Sequence, residues 1–519
     1  MDGGSAPKEC ASHPRRNRRR RANLPRCRRI RLPFRPGPCH LRRGRPGRRE
    51  VDLKRRRLLL RGGTLVSAQA AVRGDLLVEG ETIAAAGRLA GIQADETVDA
   101  SGLLVLPGAV DTHVHFSDDF MGTVSVHDYF RGTRAAVYGG VTTVIDFSNQ
   151  QEGEPLLRTV ERKWDEAAGR ALVDWGVHPV ITRPSLETLA GIPDIVAAGA
   201  PTVKCYLTYR KEGLMVGYDD LRAALTTLSR AGGMLLVHAE DNDALEENIP
   251  RLISGGFVQP IYHARSRPPD VETAAVRKAV EAARETGGRL FIVHLASADG
   301  LDLVAAARSE GVDVLAETCT HYLIFTDEML EREDGIKWIC SPPLRSAETR
   351  DRLWEGVRDG GISQVSSDDA AYSWKAKLMG AGRFDLCPNG IPGVEVRLPL
   401  LYSEGVVEGR MSLPRMVEVA STAPARLFGL APRKGSLEPG ADADIVLLDP
   451  KAEWIMGRET LHMGADWSAY EGIPVTGKIL KVWSRGELIV DGENLVGQKG
   501  RGRYLRRILP PRGPSSALR

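Results

Sequence analysis

The stretch LLVLPGAVDTHVHF, residues 103–116, decides the fold. A short apolar run ends in Asp111-Thr112-His113-Val114-His115. Side chains two apart on a strand point to the same side. His113 and His115 can therefore face one cation while Val114 points into the packing. The same idea recurs far along the chain. Lys204 sits in PTVKCYLTY (201–209), His238 ends MLLVH (234–238), His294 ends LFIVH (290–294), and Asp368 follows ISQVSS (362–367). Chemistry-bearing groups stand at or just past the ends of apolar runs.

Such runs number eight, near 103–110, 141–147, 172–179, 201–207, 233–238, 289–294, 312–317 and 362–367. Helical patterns lie between them. Asp270 is expected to cap a helix whose stripe is Val276, Ala279, Val280 and Ala283, and Gly287-Gly288 to stop it. Strands alternating with helices predict a parallel sheet with crossover helices. Eight such units fit an α/β fold of the (β/α)8 TIM-barrel type, whose active site lies at the C-terminal strand ends. LLLRGGTLVS (58–67), GDLLVEGETIAAAG (74–87), ADIVLLD (443–449) and ILKVWSRGELIVDGE (479–493) read as further strands with Gly-containing turns. The barrel is thus expected over 107–434, inserted in a small β-sandwich domain built from both termini, 58–106 plus 435–500. Segments 1–57 and 501–519 are Arg/Pro-rich tails.

Longer segments carry a resemblance. They include FMGTVSVHDYFRGTRAAVYGGVTTVIDF (120–147), VKCYLTYRKEG (203–213), LLVHAEDND (235–243), YHARSRPPDVE (262–272) and LAETCTHYL (315–323). SPPLR (341–345), PNGIPGVE (388–395) and PARLFGLAPRKGSLEPGADADIVLLDP (424–450) belong with them. In these the chain resembles the dihydropyrimidinase/hydantoinase family of cyclic amidases, within the amidohydrolase superfamily, over roughly 58–506. The resemblance implies two divalent metal ions per chain, zinc by ligand type. His113, His115, Lys204 and Asp368 would hold one, and Lys204, His238 and His294 the other. A free ammonium is a poor ligand; the family's matching lysine is carbamylated and bridges as an anion, which makes Lys204 an N6-carboxylysine. A bridging hydroxide would attack a ring amide, with Asp368 as general base and then acid. Tyr209 would donate to the oxyanion and help select substrate. Ser341 and Asn389 would bind the ring amide, and Phe120, Met121 and Val124 would wall a ring substituent. The implied reaction opens dihydropyrimidines such as dihydrouracil, or 5-substituted hydantoins, to N-carbamoyl amino acids. A homotetramer is the family's assembly, and its C-terminal arm often packs on a neighbouring subunit.

Two other functions use similar sequence. Allantoinase shares the metal chemistry with a more polar substrate, and the apolar FMGTVS loop argues for the amidase instead. A non-catalytic scaffold of dihydropyrimidinase type would have lost metal ligands, and all six ligand types are present. One departure stands out. Where the family commonly has Asp-His, this chain has Asp368-Asp369 in SSDDAAYSW (366–374). Asp369 is expected to pair with a nearby Lys or Arg. His127, His178, His263, His321 and His462 have no spacing that calls for a ligand role.

Charge is unevenly spread. Through Arg57 there are 19 Arg and 2 Lys against 4 acidic residues, a net +17, whereas the whole chain is +4 and the remainder therefore −13. Such Arg/Pro-rich composition is expected to stay disordered. It lacks interleaved aromatics for base stacking, which argues against a nucleic-acid arm, and a clean amphipathic period, which argues against an organellar presequence; an upstream start codon would explain it. The seven cysteines, Cys10, Cys27, Cys39, Cys205, Cys319, Cys340 and Cys387, include no CxxC pair. Scattered cysteines fit a reducing, cytoplasmic setting, give little support to another metal site, and no apolar run is long enough to span a bilayer.

Overall fold

The computed structural model describes residues 56–511. The basic segment up to residue 55 and residues 512–519 lie outside the described residues, as do His13, His40, Cys10, Cys27 and Cys39.

Eight parallel strands run in chain order around a barrel: Ala109–Val114, Val141–Asn149, Asp174–Val180, Thr202–Tyr206, Met234–His238, Leu290–Ile292, Val314–Cys319 and Gln364–Ser366. Apart from Asn149 they are buried along their whole length, which is why they read as continuous apolar runs rather than alternating ones. The seam between the first and last is closed just beyond the eighth strand. Asp369 bridges Val114 there, and His115 N donates to Asp369 O at 2.9 Å. The helices cover the barrel through apolar stripes. In Tyr218–Ala231 the stripe is Leu221, Ala224, Leu225 and Leu228. Burying one such leucine stabilises by roughly 1.5–3 kcal/mol. Asp219 and Asp220 sit favourably in the first turn, and Gly232 ends the helix in the left-handed region at φ 77°.

The terminal strands form one nine-stranded, largely antiparallel sheet. Arg57–Val66, Ala71–Glu79 and Thr82–Gly87 come from the N-terminal side, and Ile445–Ile455, Pro474–Ser484 and Glu487–Asp491 from the C-terminal side. The two sets meet at Leu104–Pro107, which pairs with both Thr64–Leu65 and Ile445–Leu448. The expected first barrel strand, 103–110, is thus corrected. Its first half belongs to the terminal sheet, and the barrel strand begins at Ala109. Both halves are buried, so hydrophobicity alone could not divide them. The break is Pro107-Gly108, where a Cβ on Gly108 would stand 2.2 Å from Thr142 Oγ1.

A second correction concerns Asp270. The helix runs Pro269–Thr286 after Pro268, so Asp270 lies inside its first turn rather than capping it. Gly287, at φ 60°, does end it. Residues 503–505 run beside the third strand, with Trp175 N donating to Arg503 O at 3.0 Å and Leu505 N donating to Trp175 O at 2.8 Å. Leu505, Arg507 and Leu509 are buried against this chain's own barrel.

Candidate metal centre

The barrel brings the six predicted ligand residues together at the C-terminal strand ends. His113 lies within the first strand and His115 just past it. Lys204 is central in the fourth strand, and His238 closes the fifth. His294 and Asp368 follow the sixth and eighth. The i, i+2 geometry holds: Asp368 Oδ1 is 3.0 Å from His113 Nε2 and 3.3 Å from His115 Nε2. On the other side, the His238 and His294 rings meet edge to face at 4.4 Å. Lys204 stands between the two groups, its Nζ 3.5 Å from His113 Nε2.

Three imidazoles are each held from behind by a carboxylate. Glu317 Oε1 is 2.5 Å from His113 Nδ1, Asp118 Oδ2 is 3.2 Å from His115 Nδ1, and Glu240 Oε2 is 2.8 Å from His238 Nε2. Such partners fix ring orientation and raise ligand basicity at metal sites. Glu317 also accepts from the His294 backbone N–H, and Arg267 Nη1 donates to Glu240. None of these three acids was singled out from sequence. A signal was present for Glu240, which follows His238 by two residues, the same spacing that links His113 to His115.

The donor set fits cations. His294 Nδ1 is buried with no hydrogen-bond partner. Among the described residues no carboxylate is in hydrogen-bond reach of the buried Lys204, whereas His113 Nε2 and the Phe147 and Tyr206 rings lie within 5 Å of Nζ. Burial brings its amine down to about 8, despite the opposing pull of Asp368 and Glu317. Backbone strain concentrates here as well. Tyr209, His294 and Asp368 have φ of 66°, 41° and 48°, a region non-glycine residues seldom occupy. Each such residue costs about 1–3 kcal/mol and persists where surrounding structure enforces it, often at functional sites.

A cavity of about 50 Å³ is lined by His115, Lys204, His238, His294, Asp368, Tyr209, Ser341 and Asn389, among others. Tyr209 and Asn389 also line a larger cleft of about 480 Å³, with Met121, Leu245, Ile249 and Leu386. Asn389 Nδ2 donates to the Tyr209 hydroxyl at 3.2 Å, and burial pushes that phenol up, so it stays a donor. Ser341 Oγ is 3.3 Å from His263 Nε2. Phe120 packs edge to face on Tyr209 at 5.0 Å. Val124 lines neither cavity and is 54% exposed, so the expected apolar wall shrinks to Phe120 and Met121. A hollow of about 830 Å³ lies near the N-terminal ends of the seventh and eighth strands, beside Arg308 and Arg415, and holds none of these residues. Barrel active sites occupy the other end.

Asp369 also departs from expectation. Its partner is a histidine, not Lys or Arg: Oδ2 is 2.6 Å from His127 Nδ1. Oδ1 accepts from the Gly393 and Val394 N–H groups at 2.8 and 3.1 Å. Fully buried and saturated, Asp369 joins the loop carrying Asn389 to the barrel seam rather than facing substrate.

Comparison with known proteins agrees with this geometry. The sequence pattern of the Amidohydrolase family matches residues 104–489. A D-hydantoinase from Geobacillus stearothermophilus is 36% identical over 453 residues, 86% of this chain and 96% of that protein. A D-phenylhydantoinase from Escherichia coli O1:K1 / APEC is 40% identical over 461 residues, 88% and 99%. The crystal structure of dihydropyrimidinase from Brevibacillus agri NCHU1002 superposes with a TM-score of 0.86 at 35% identity, covering 88% of this chain and all of that one. The chain belongs to the amidohydrolase family. Within it, the hydantoinases and dihydropyrimidinases are its relatives along almost their whole length.

Proposed function

We propose that this protein is a metal-dependent cyclic amidase that opens hydantoin or dihydropyrimidine rings to N-carbamoyl amino acids. The observation that carries the reading is the convergence of five ligand-type side chains around a buried lysine at the C-terminal barrel mouth. His113, His115, Lys204 and Asp368 would hold one divalent ion, and Lys204, His238 and His294 the other. Two bound cations supply a hydrolytic nucleophile at neutral pH and polarise an amide carbonyl. The ligand types suit zinc. Burial lowers the Lys204 amine to about 8, which brings the neutral form, the one that adds carbon dioxide, within easier reach; the carbamate formed, after losing its proton, would supply the anionic ligand that an ammonium cannot.

The remaining steps belong to the chain's own groups. Asp368 takes a proton from the attacking water and delivers it to the leaving ring nitrogen. The Tyr209 hydroxyl, oriented by Asn389, donates to the developing oxyanion. Ser341 and Asn389 hold the ring amide at the cavity wall. The four described free cysteines are buried and unpaired, which supports a reducing cytoplasmic setting. Among the described residues no helix is long and apolar enough to cross a membrane. A homotetramer is the assembly the resemblance implies, and light scattering on the purified protein tests it.

The direct test is metal dependence. Chelated protein should lose ring opening of a 5-substituted hydantoin and regain it with zinc, with an N-carbamoyl amino acid as product. Full turnover after complete chelation would refute the reading.

A further inference from the structure

Two buried groups beside Asp368 take no part in the chemistry above. Cys319 ends the seventh barrel strand, and His321 lies in the short helix Thr320–Ile324 that follows. Cys319 is 0% and His321 1% exposed. Neither ring nitrogen of His321 has a hydrogen-bond partner. Buried polar groups are rarely left so, and each exception calls for an ordered water or an ion. One donor atom from each of Cys319, His321 and Asp368 lies within 4.8 Å of the other two. The first two line no part of the central cavity, whereas Asp368 does. The trio therefore extends behind Asp368, with that carboxylate shared between two sides.

The donor types set the preference. Thiolate plus imidazole suits zinc and softer divalent ions and discriminates against magnesium and calcium. A carboxylate has two oxygens with about four lone-pair sites, so a cation behind Asp368 can engage it in competition with its partners on the other side. We propose that Cys319, His321 and Asp368 form a third cation position, selective for thiophilic divalent ions, whose filling inhibits the enzyme by drawing Asp368 away from His113 and His115. On binding, the Cys319 thiol loses its proton to solvent as the sulfur–metal bond forms, and no electron is transferred. Cys319 and His321 match no familiar metal spacing until Asp368, 47 residues after His321, is folded beside them.

The inhibitory half rests on the cyclic-amidase reading; the binding half does not. The experiment titrates cadmium chloride into zinc-loaded full-length protein, reading ultraviolet thiolate-to-cadmium absorption and cadmium retained after dialysis. Wild type and a Cys387→Ser control should both take up one more tightly held cadmium than Cys319→Ser. His321→Gln should weaken that cadmium by roughly tenfold or more. Thiols other than Cys319 and Cys387 contribute a background common to all four proteins. Equal uptake and absorption in wild type, Cys319→Ser and His321→Gln would overturn the site and leave water as the partner of His321. Excess zinc should slow ring opening in wild type and much less in the two variants. Undiminished inhibition in both would overturn the inhibitory role. Inactivity of every protein on cyclic amides would instead refute the amidase reading, with the cadmium count still deciding the site.

Discussion

Glu317 Oε1 lies 2.5 Å from His113 Nδ1, and this one contact decides which face His113 offers the metal centre. With Nδ1 engaged, Nε2 is left facing Asp368. The other Glu317 oxygen accepts from Gln364 Nε2 at 2.6 Å, so the carboxylate is itself fixed. Glu317→Gln should keep the fold and lower metal affinity by about 10–100-fold, the usual effect of losing such a partner. Metal retained against a graded chelator series measures it. Unchanged retention would make Glu317 a packing residue only.

Lys204→Ala should lose both the metal and turnover. A short carboxylic acid added to that variant is expected to restore part of each, by standing in for the anionic bridge. Elemental analysis and rates with and without the acid check this. A fully metallated, active Lys204→Ala protein would contradict the bridging role.

Tyr209→Phe removes one hydroxyl from the cavity wall. If that hydroxyl serves the oxyanion, kcat should fall by roughly 10²–10³, while metal content stays unchanged. An effect confined to KM would assign Tyr209 to substrate binding alone.

Stability should carry an acid limb set far from the metal centre. Asp174, on the third strand, lies 2.7 Å from Lys434 Nζ and also meets Arg485. Burial opposes its charge, but Lys434 and Arg485 prevail and hold it down to about 2 from 3.8. A depressed carboxyl contributes stability that is complete above its unfolded value and lost as pH falls through its folded value. The loss should therefore fall between about pH 4 and 2, on the order of 2 kcal/mol for this group. Asp174→Asn should remove that limb and, because Lys434 keeps Asp442 and Asp444 as partners, destabilise by about 1.5–3 kcal/mol at pH 7. Denaturant midpoints across pH test both. A variant as stable as wild type at pH 7 would contradict the coupling.

The barrel and the convergence of six candidate ligand residues were legible because most of them follow or end an apolar run, with Lys204 inside one, and a parallel strand buried on both faces leaves that mark. The first strand was misplaced for the same reason: LLVLPGAV is apolar throughout, and only the crowding of Gly108 against Thr142 shows where one sheet yields to the other. Glu317, Asp118 and Glu240 were passed over because an acid behind a histidine is ordinary in sequence and becomes distinctive only at 2.5–3.2 Å. Asp369 drew attention as a departure, yet its partner His127 is 242 residues away and no local pattern connects them.

Substrate choice tests the functional reading most directly. Initial rates of the zinc-loaded protein on dihydrouracil, 5-phenylhydantoin and allantoin should show ring opening of one or both of the first two, with allantoin slower. Phe120 and Met121 offer a ring substituent apolar surface, and a single pocket contact shifts selectivity by about 1–3 kcal/mol. Allantoin turned over far faster than the others, or no turnover of any of the three by fully metallated protein, would contradict a cyclic amidase of hydantoins and dihydropyrimidines.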